Sequence, residues 1–104
     1  MKKYYVYILL CADGTYYVGV TNDYERRLEE HETAKKETAY TASRLPVQLA
    51  YIETHMYVNN AIRREKNLKR WSHAKKAALI NGDMPALKQL SKKKNWANHR
   101  KKVK

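Results

Sequence analysis

Residues 4–21 read Tyr-Tyr-Val-Tyr-Ile-Leu-Leu-Cys-Ala-Asp-Gly-Thr-Tyr-Tyr-Val-Gly-Val-Thr. Two runs rich in β-branched and aromatic side chains, 4–11 and 15–21, flank Ala12-Asp13-Gly14, the pattern of two strands joined by a tight turn. Loop length decides which side chains meet. A two-residue loop would set Tyr7 opposite Val20 and put Tyr7 and Tyr17 on different faces. A three-residue loop, with Gly14 in the left-handed conformation, pairs Tyr7 with Gly19 and Leu9 with Tyr17. Because side chains alternate along a strand, Val6, Ile8, Leu10, Tyr16, Val18 and Val20 then share one face. Tyr5, Tyr7, Thr15, Tyr17, Gly19 and Thr21 share the other. Only this register yields one cleanly apolar face, so it is the one expected.

Beyond the hairpin, Asn22-Asp23-Tyr24-Glu25 predicts a helix start, with Asn22 as cap and Glu25 three residues later. That helix should run to about residue 35, with Tyr24 and Leu28 on its buried side. Residues 36–46 read as a polar loop ending at Leu45-Pro46, and a third strand is expected over 47–52. Helices follow over about 58–70, from a Ser72 cap through Ile80, and from Asp83 and Pro85 to about 91, with Gly82 ending the middle one. The order β-β-α-β-α-α-α predicts an α+β fold, a small three-stranded antiparallel sheet flanked by helices. The expected organisation is one domain over 1–91 and a basic C-terminal tail over 92–104, with Trp96 packing back on the domain in preference to stacking on a base.

A chain of 104 residues suffices for a single core. No stretch approaches the roughly 20 apolar residues of a membrane span. The alternation that follows Met1-Lys2-Lys3 reads as strand rather than signal peptide. Cys11 is the only cysteine, which excludes a disulfide framework and a cysteine-based zinc site and fits a reducing, cytoplasmic setting. The net charge of +12 is unevenly placed: residues 1–60 hold 7 basic and 8 acidic residues, or −1, and residues 61–104 hold 15 and 2, or +13. That concentration suits a polyanion, nucleic acid first; the blander reading is a solvated, lysine-rich helical surface. Nine tyrosines and no phenylalanine suggest that hydroxyls are used, for stacking with a polar tip or for chemistry.

Gly19 lies inside a strand, where glycine leaves nothing to pack and marks a bulge, a slot for the Tyr7 ring or a close approach of ligand. Arg27 and His31, four residues apart, project from one side of the first helix, where Glu29 and Glu30 could hold them as surface ion pairs. On the helix from 58, the stripe Ala61, Glu65, Leu68, Ser72 places a carboxylate at a core-facing position among Arg63, Arg64, Lys66, Lys69 and Arg70. Such a carboxylate must be paired or bound to metal; an internal salt bridge to Arg64 or Arg27 is the structural alternative.

Tyr5-Val6-Tyr7, Tyr17-Val18-Gly19 ten residues on, and Arg26-Arg27-Leu28 with His31 after a further ten together resemble the motifs of the GIY-YIG nuclease superfamily. Arg63-Arg64-Glu65-Lys66-Asn67-Leu68-Lys69-Arg70-Trp71 resembles its metal-binding glutamate helix, and Tyr40-Thr41 before the third strand is similar to its short stand-alone members. The resemblance spans about residues 4–80. The superfamily includes the excision-repair nuclease UvrC, homing endonucleases and some restriction enzymes. Where some relatives carry a lysine just after the second-motif glycine, this chain has Val20.

The resemblance implies a metal-dependent endonuclease acting on nucleic acid, DNA before RNA, in the manner of repair or recombination enzymes. Tyr7 and Tyr17 would flank the scissile phosphate, one of them positioning or deprotonating the attacking water. Arg27 would stabilise charge on the phosphate. His31 would assist the tyrosine or orient the phosphate, and Glu65 would hold a single Mg²⁺ or Mn²⁺ completed by water and phosphate. Gly19, Arg44, Arg64 and Lys69 are the expected substrate-binding positions. A phenol ordinarily titrates near 10, and Arg27 nearby is expected to favour phenolate. A monomer or weak dimer without membrane contact is expected. The alternative is a non-catalytic nucleic-acid-binding module of the same fold, with the tyrosines as stacking platforms.

Overall fold

A computed structural model describes residues 2–33 and 39–91. The expected basic tail, its Trp96 and the junction at 34–38 lie outside the described residues. The chain divides into two compact units, Met1–Arg70 and Trp71–Lys104. Among the described residues, no helix is long and apolar enough to cross a membrane.

The first unit holds β1 (Tyr4–Cys11), β2 (Tyr16–Thr21), α1 (Tyr24–Thr33), α2 (Ala39–Ala42), β3 (Val47–His55) and α3 (Val58–Arg70). The three strands form one antiparallel sheet in the order β2-β1-β3, so the fold is α+β as expected. The hairpin takes the three-residue loop. Tyr7 pairs with Gly19 and Leu9 with Tyr17; the Gly14 amide donates to the Cys11 carbonyl at 2.9 Å, and Gly14 sits at φ +84°. That left-handed conformation penalises any residue with a Cβ, which explains glycine there.

One expectation about the sheet needs correction. The hairpin has no single apolar face, because β1 is the central strand and is buried on both sides. Val6, Ile8 and Val18 are buried on one side, and Tyr7, Leu9 and Cys11 on the other. With Val47, the latter three form a cluster against which Tyr17, Leu28, Leu45, Leu49 and Ile52 pack. Leu28 thus brings α1 over the tyrosine side. α3 covers the opposite side through buried Ala61 and Leu68. The strand register sets Glu53 beside Val6, and Arg64 of α3 bonds Glu53.

Three boundaries also differ. The α1 cap is Asp23 rather than Asn22: its Oδ1 accepts the Arg26 amide at 3.2 Å, satisfying a helix-end donor that has no intrahelical partner. Part of the expected loop over 36–46 is the short helix α2. β3 runs three residues past 52, to His55, because its pairing with β1 continues to Tyr4. Asp23→Ala should therefore cost about 1 kcal/mol, lowering Tm by roughly 4–8 °C, whereas Asn22→Ala should leave the thermal melt unchanged.

In the second unit, Ser72 caps α4 (His73–Ile80) by accepting the Lys75 amide at 3.1 Å. The helix closes as Gly82 (φ +67°) and Asp83 donate back to Leu79 and Ala78, the paired bonds of a Schellman end. Asp83 then accepts the Ala86 amide at 3.1 Å and starts a last helix over 84–91.

Candidate active site

Two α1 residues on one helical side, Arg27 and His31, face the tyrosine side of the sheet. His31 is no surface residue: only 2% of it is exposed. Its Nε2 lies 3.1 Å from the Tyr7 hydroxyl, and its Nδ1 lies 2.8 Å from Thr41 Oγ1. The imidazole forms a triangle with the two tyrosines, its ring centroid 6.0 Å from Tyr7 and 5.0 Å from Tyr17. Tyr7 and Tyr17 are themselves 6.4 Å apart. The Arg27 guanidinium is near enough to Tyr7 for its charge to act on the phenol, and it pairs with Glu30 at 3.3 Å.

Gly19 is the slot for the Tyr7 ring. A Cβ on Gly19 would collide with the hydroxyl, Cζ and Cε1 of Tyr7. With only hydrogens there, the phenol crosses β2, an edge strand, and its hydroxyl reaches His31. Of the readings open for this glycine, close approach of the ring is the one realised.

Glu65, on the helix covering the other side of the sheet, acts on the Tyr7 phenol through its charge. Its side chain is 15% exposed, and Oε2 lies 3.2 Å from Lys69 Nζ. The internal salt bridge is therefore to Lys69 rather than Arg64 or Arg27. The i,i+4 spacing sets Lys69 on the same helical side, while Arg64, one residue round the helix, bonds Glu53 of β3 at 2.8 Å.

The electrostatics overturn one expectation. Burial pushes the Tyr7 phenol up to about 12, against the lowering effect of the Arg27 hydrogen bond and charge; Tyr17 and Glu65 push it further up. Desolvation of the charged form outweighs one cation here. At neutral pH Tyr7 is a phenol. Burial, with Arg27 nearby, lowers the His31 pKa, so the imidazole is neutral. The Tyr7 hydrogen bond in turn raises Arg27.

Of the expected substrate-binding positions, only Gly19 and Lys69 join this cluster. Arg64 is tied to Glu53. Arg44 lies at the hairpin loop, its Nε 2.9 Å from Asp13 Oδ2 and its carbonyl accepting the Ala12 amide. Thr41, fully buried against His31, is the site residue that sequence reasoning left without a role; a threonine in a polar stretch gives no signal of burial.

Among the described residues there is no group of three or more His, Cys, Asp or Glu side chains able to enclose a metal. A lone carboxylate fits a hard Mg²⁺ or Mn²⁺ ion that keeps its waters and is completed by substrate phosphate; it does not fit a resident, fully caged ion.

A family model for the GIY-YIG catalytic domain matches residues 3–78. The chain belongs to the GIY-YIG family. It carries a nuclease-family domain, and such a domain implies a nucleic-acid substrate. Small relatives agree along most of their length. A UPF0213 protein of Syntrophus aciditrophicus is 44% identical over 77% of this chain and 92% of its own. One from Halobacterium salinarum is 43% identical over 74% and 99%. Among solved structures, a protein of E. faecalis is similar with a TM-score of 0.56 and 31% identity, covering 81% of this chain and 88% of its own. A UPF0213 protein of Bacillus halodurans matches with a TM-score of 0.50 and 37% identity over 76% and 83%. The GIY-YIG motifs of this chain are Tyr5-Val6-Tyr7 and Tyr17-Val18-Gly19, adjacent through the three-residue loop.

Proposed function

We propose that this GIY-YIG protein is a divalent-metal-dependent endonuclease that hydrolyses phosphodiester bonds, with DNA as the preferred substrate. The observation that carries this is the convergence on one hydroxyl: Tyr7 Oη lies 3.1 Å from His31 Nε2 and within the fields of Arg27 and Glu65. A structural core has no use for an arginine, a neutral imidazole and a carboxylate around a buried phenol.

Tyr7 and His31 would act as a relay. The attacking water gives a proton to Tyr7 Oη as the phenol's own proton passes to His31 Nε2, and the hydroxide adds to phosphorus. No free phenolate forms, which burial would penalise. Arg27 stabilises the charge that grows on the phosphate oxygens. Tyr17, half-buried beside His31, orients the phosphate. The leaving oxygen takes a proton from solvent, and the imidazolium returns its own. Glu65 would hold one Mg²⁺ or Mn²⁺, whose charge when bound neutralises the phosphate. Lys69, 52% exposed, can then turn to a phosphate oxygen, a cationic role open because Val20 replaces the lysine of some relatives.

Supercoiled plasmid, branched DNA and single-stranded RNA should be incubated with Mg²⁺ or Mn²⁺. The wild-type protein should nick DNA. Tyr7→Phe and Tyr17→Phe should lose roughly 10²–10⁴-fold, the scale of proton-transfer catalysis, in folded protein. The reaction needs His31 neutral. Since its folded pKa is depressed, the rate should be flat through neutral pH and fall only on acidification below the ordinary histidine value of about 6.5. A rate that rises on acidification refutes the relay. The rival reading, a binding module, is favoured by the Lys69–Glu65 pair, which places an ammonium on the one carboxylate that would hold metal. No cleavage by wild type, with salt-sensitive binding intact, decides for it.

A further inference from the structure

Thr41 is the buried polar residue of this site that the proposed hydrolysis leaves unused. Its relative exposure is 0%, and its Oγ1 lies 2.8 Å from His31 Nδ1. Burying a hydroxyl is costly unless it is bonded. α2 carries it there, anchored as the Thr41 carbonyl accepts the Arg44 amide at 3.0 Å.

Counting hydrogens assigns the direction of each bond. The Arg27 cation acts on the Tyr7 phenol, and a cation favours the phenol oxygen rather than its hydrogen turned toward it. The phenol has one hydrogen of its own, and His31 Nε2 at 3.1 Å is the acceptor in reach. If Nε2 were protonated, it would donate to Oη, and the phenol hydrogen would have to leave the pair. A neutral imidazole carries one N–H. With Nε2 bare, that hydrogen is on Nδ1, where it meets Thr41 Oγ1. Among the described residues, Tyr7, Tyr17, Arg27, Glu30 and Thr41 lie around the ring, and Thr41 bonds Nδ1.

We infer that Thr41 is a positioning residue: by accepting the Nδ1–H of His31 it holds the tautomer whose Nε2 can take the Tyr7 proton. The inference rests on the hydrolysis described above. Without the Thr41 acceptor at Nδ1, a buried N–H would lose its bond, which favours the other tautomer. That tautomer has a hydrogen on Nε2 and cannot receive another.

The test uses the full chain labelled with ¹⁵N-histidine. Wild type and Thr41→Ser should show His31 protonated at Nδ1, and Thr41→Val should show the proton moved to Nε2. In cleavage assays Thr41→Val should lose roughly 10²-fold in kcat, the lower scale of general-base loss, with KM little changed. Thr41→Ser should stay within about twofold of wild type, because it keeps the acceptor. A wild-type spectrum with Nε2 protonated overturns the proposal whether or not the valine variant folds. So does a folded Thr41→Val protein that cleaves like wild type. A wild-type protein that cuts nothing removes the hydrolysis, and the positioning role with it; the spectrum still decides the tautomer, so the two failures are told apart.

Discussion

Glu65→Gln should abolish cleavage while leaving nucleic-acid binding equal or tighter. The two effects move in opposite directions for one reason. Glu65 is the only acid on α3, among Arg63, Arg64, Lys66, Lys69 and Arg70, and toward a polyanion it is repulsive. Its removal frees Lys69 from the 3.2 Å pair and adds a cation to the surface, which favours phosphate contact. As the carboxylate proposed to hold the metal ion, however, it should matter more than the roughly 10–100-fold that outer-shell partners of a metal cost. The pair with Lys69 is half in solvent, so stability should change by less than about 0.5 kcal/mol. Gel-shift titration, plasmid nicking and a thermal melt on one preparation check all three. Unchanged nicking would remove Glu65 from the chemistry; weakened binding would show that it orders the interface.

Gly19→Ala should damage fold and activity together. The added Cβ would occupy the space of the Tyr7 hydroxyl and ring carbons. Tyr7 is 3% exposed and packed with Leu9, Cys11 and Val47, so the ring cannot swing into solvent without opening that cluster. Overpacking of this kind costs about 1–3 kcal/mol, partly offset by the roughly 0.5–1 kcal/mol that alanine gains over glycine in a strand. Any accommodation pulls Oη away from Arg27 and His31, so cleavage should fall at least as far as in Tyr7→Phe. Gly14→Ala is the control. A Cβ there meets nothing within 4 Å, so only the left-handed backbone, about 1–2 kcal/mol, opposes it, and activity should persist in the folded protein. Equal activity in both variants would mean that the Tyr7 position is immaterial.

Much of this architecture is local and therefore legible in the chain. Asp13-Gly14 and the alternation on either side specify the hairpin and its register, since a one-residue slip would turn every side chain over. Ser72 and Gly82 mark the ends of α4 by chemistry that operates within a few residues. The same local reasoning misplaced the α1 cap by one residue, because Asn22 and Asp23 are both competent caps. It also missed α2, whose four residues carry no periodicity.

What no local pattern could supply is the burial around Tyr7. Position at the centre of the sheet decides that both faces of β1 are covered, and that burial rather than Arg27 governs the phenol, pushing it up to about 12. Pairing follows the same logic: Arg27, His31 and Glu65 are marked as candidates by residue type and spacing. Only packing puts His31 in a dry site between Tyr7 and Thr41, and gives Glu65 to Lys69 and Arg64 to Glu53. Hydrogen-bond register and helix spacing depend on neighbours in sequence. Desolvation and proton direction depend on which distant side chains exclude water, and the chain order alone does not contain that.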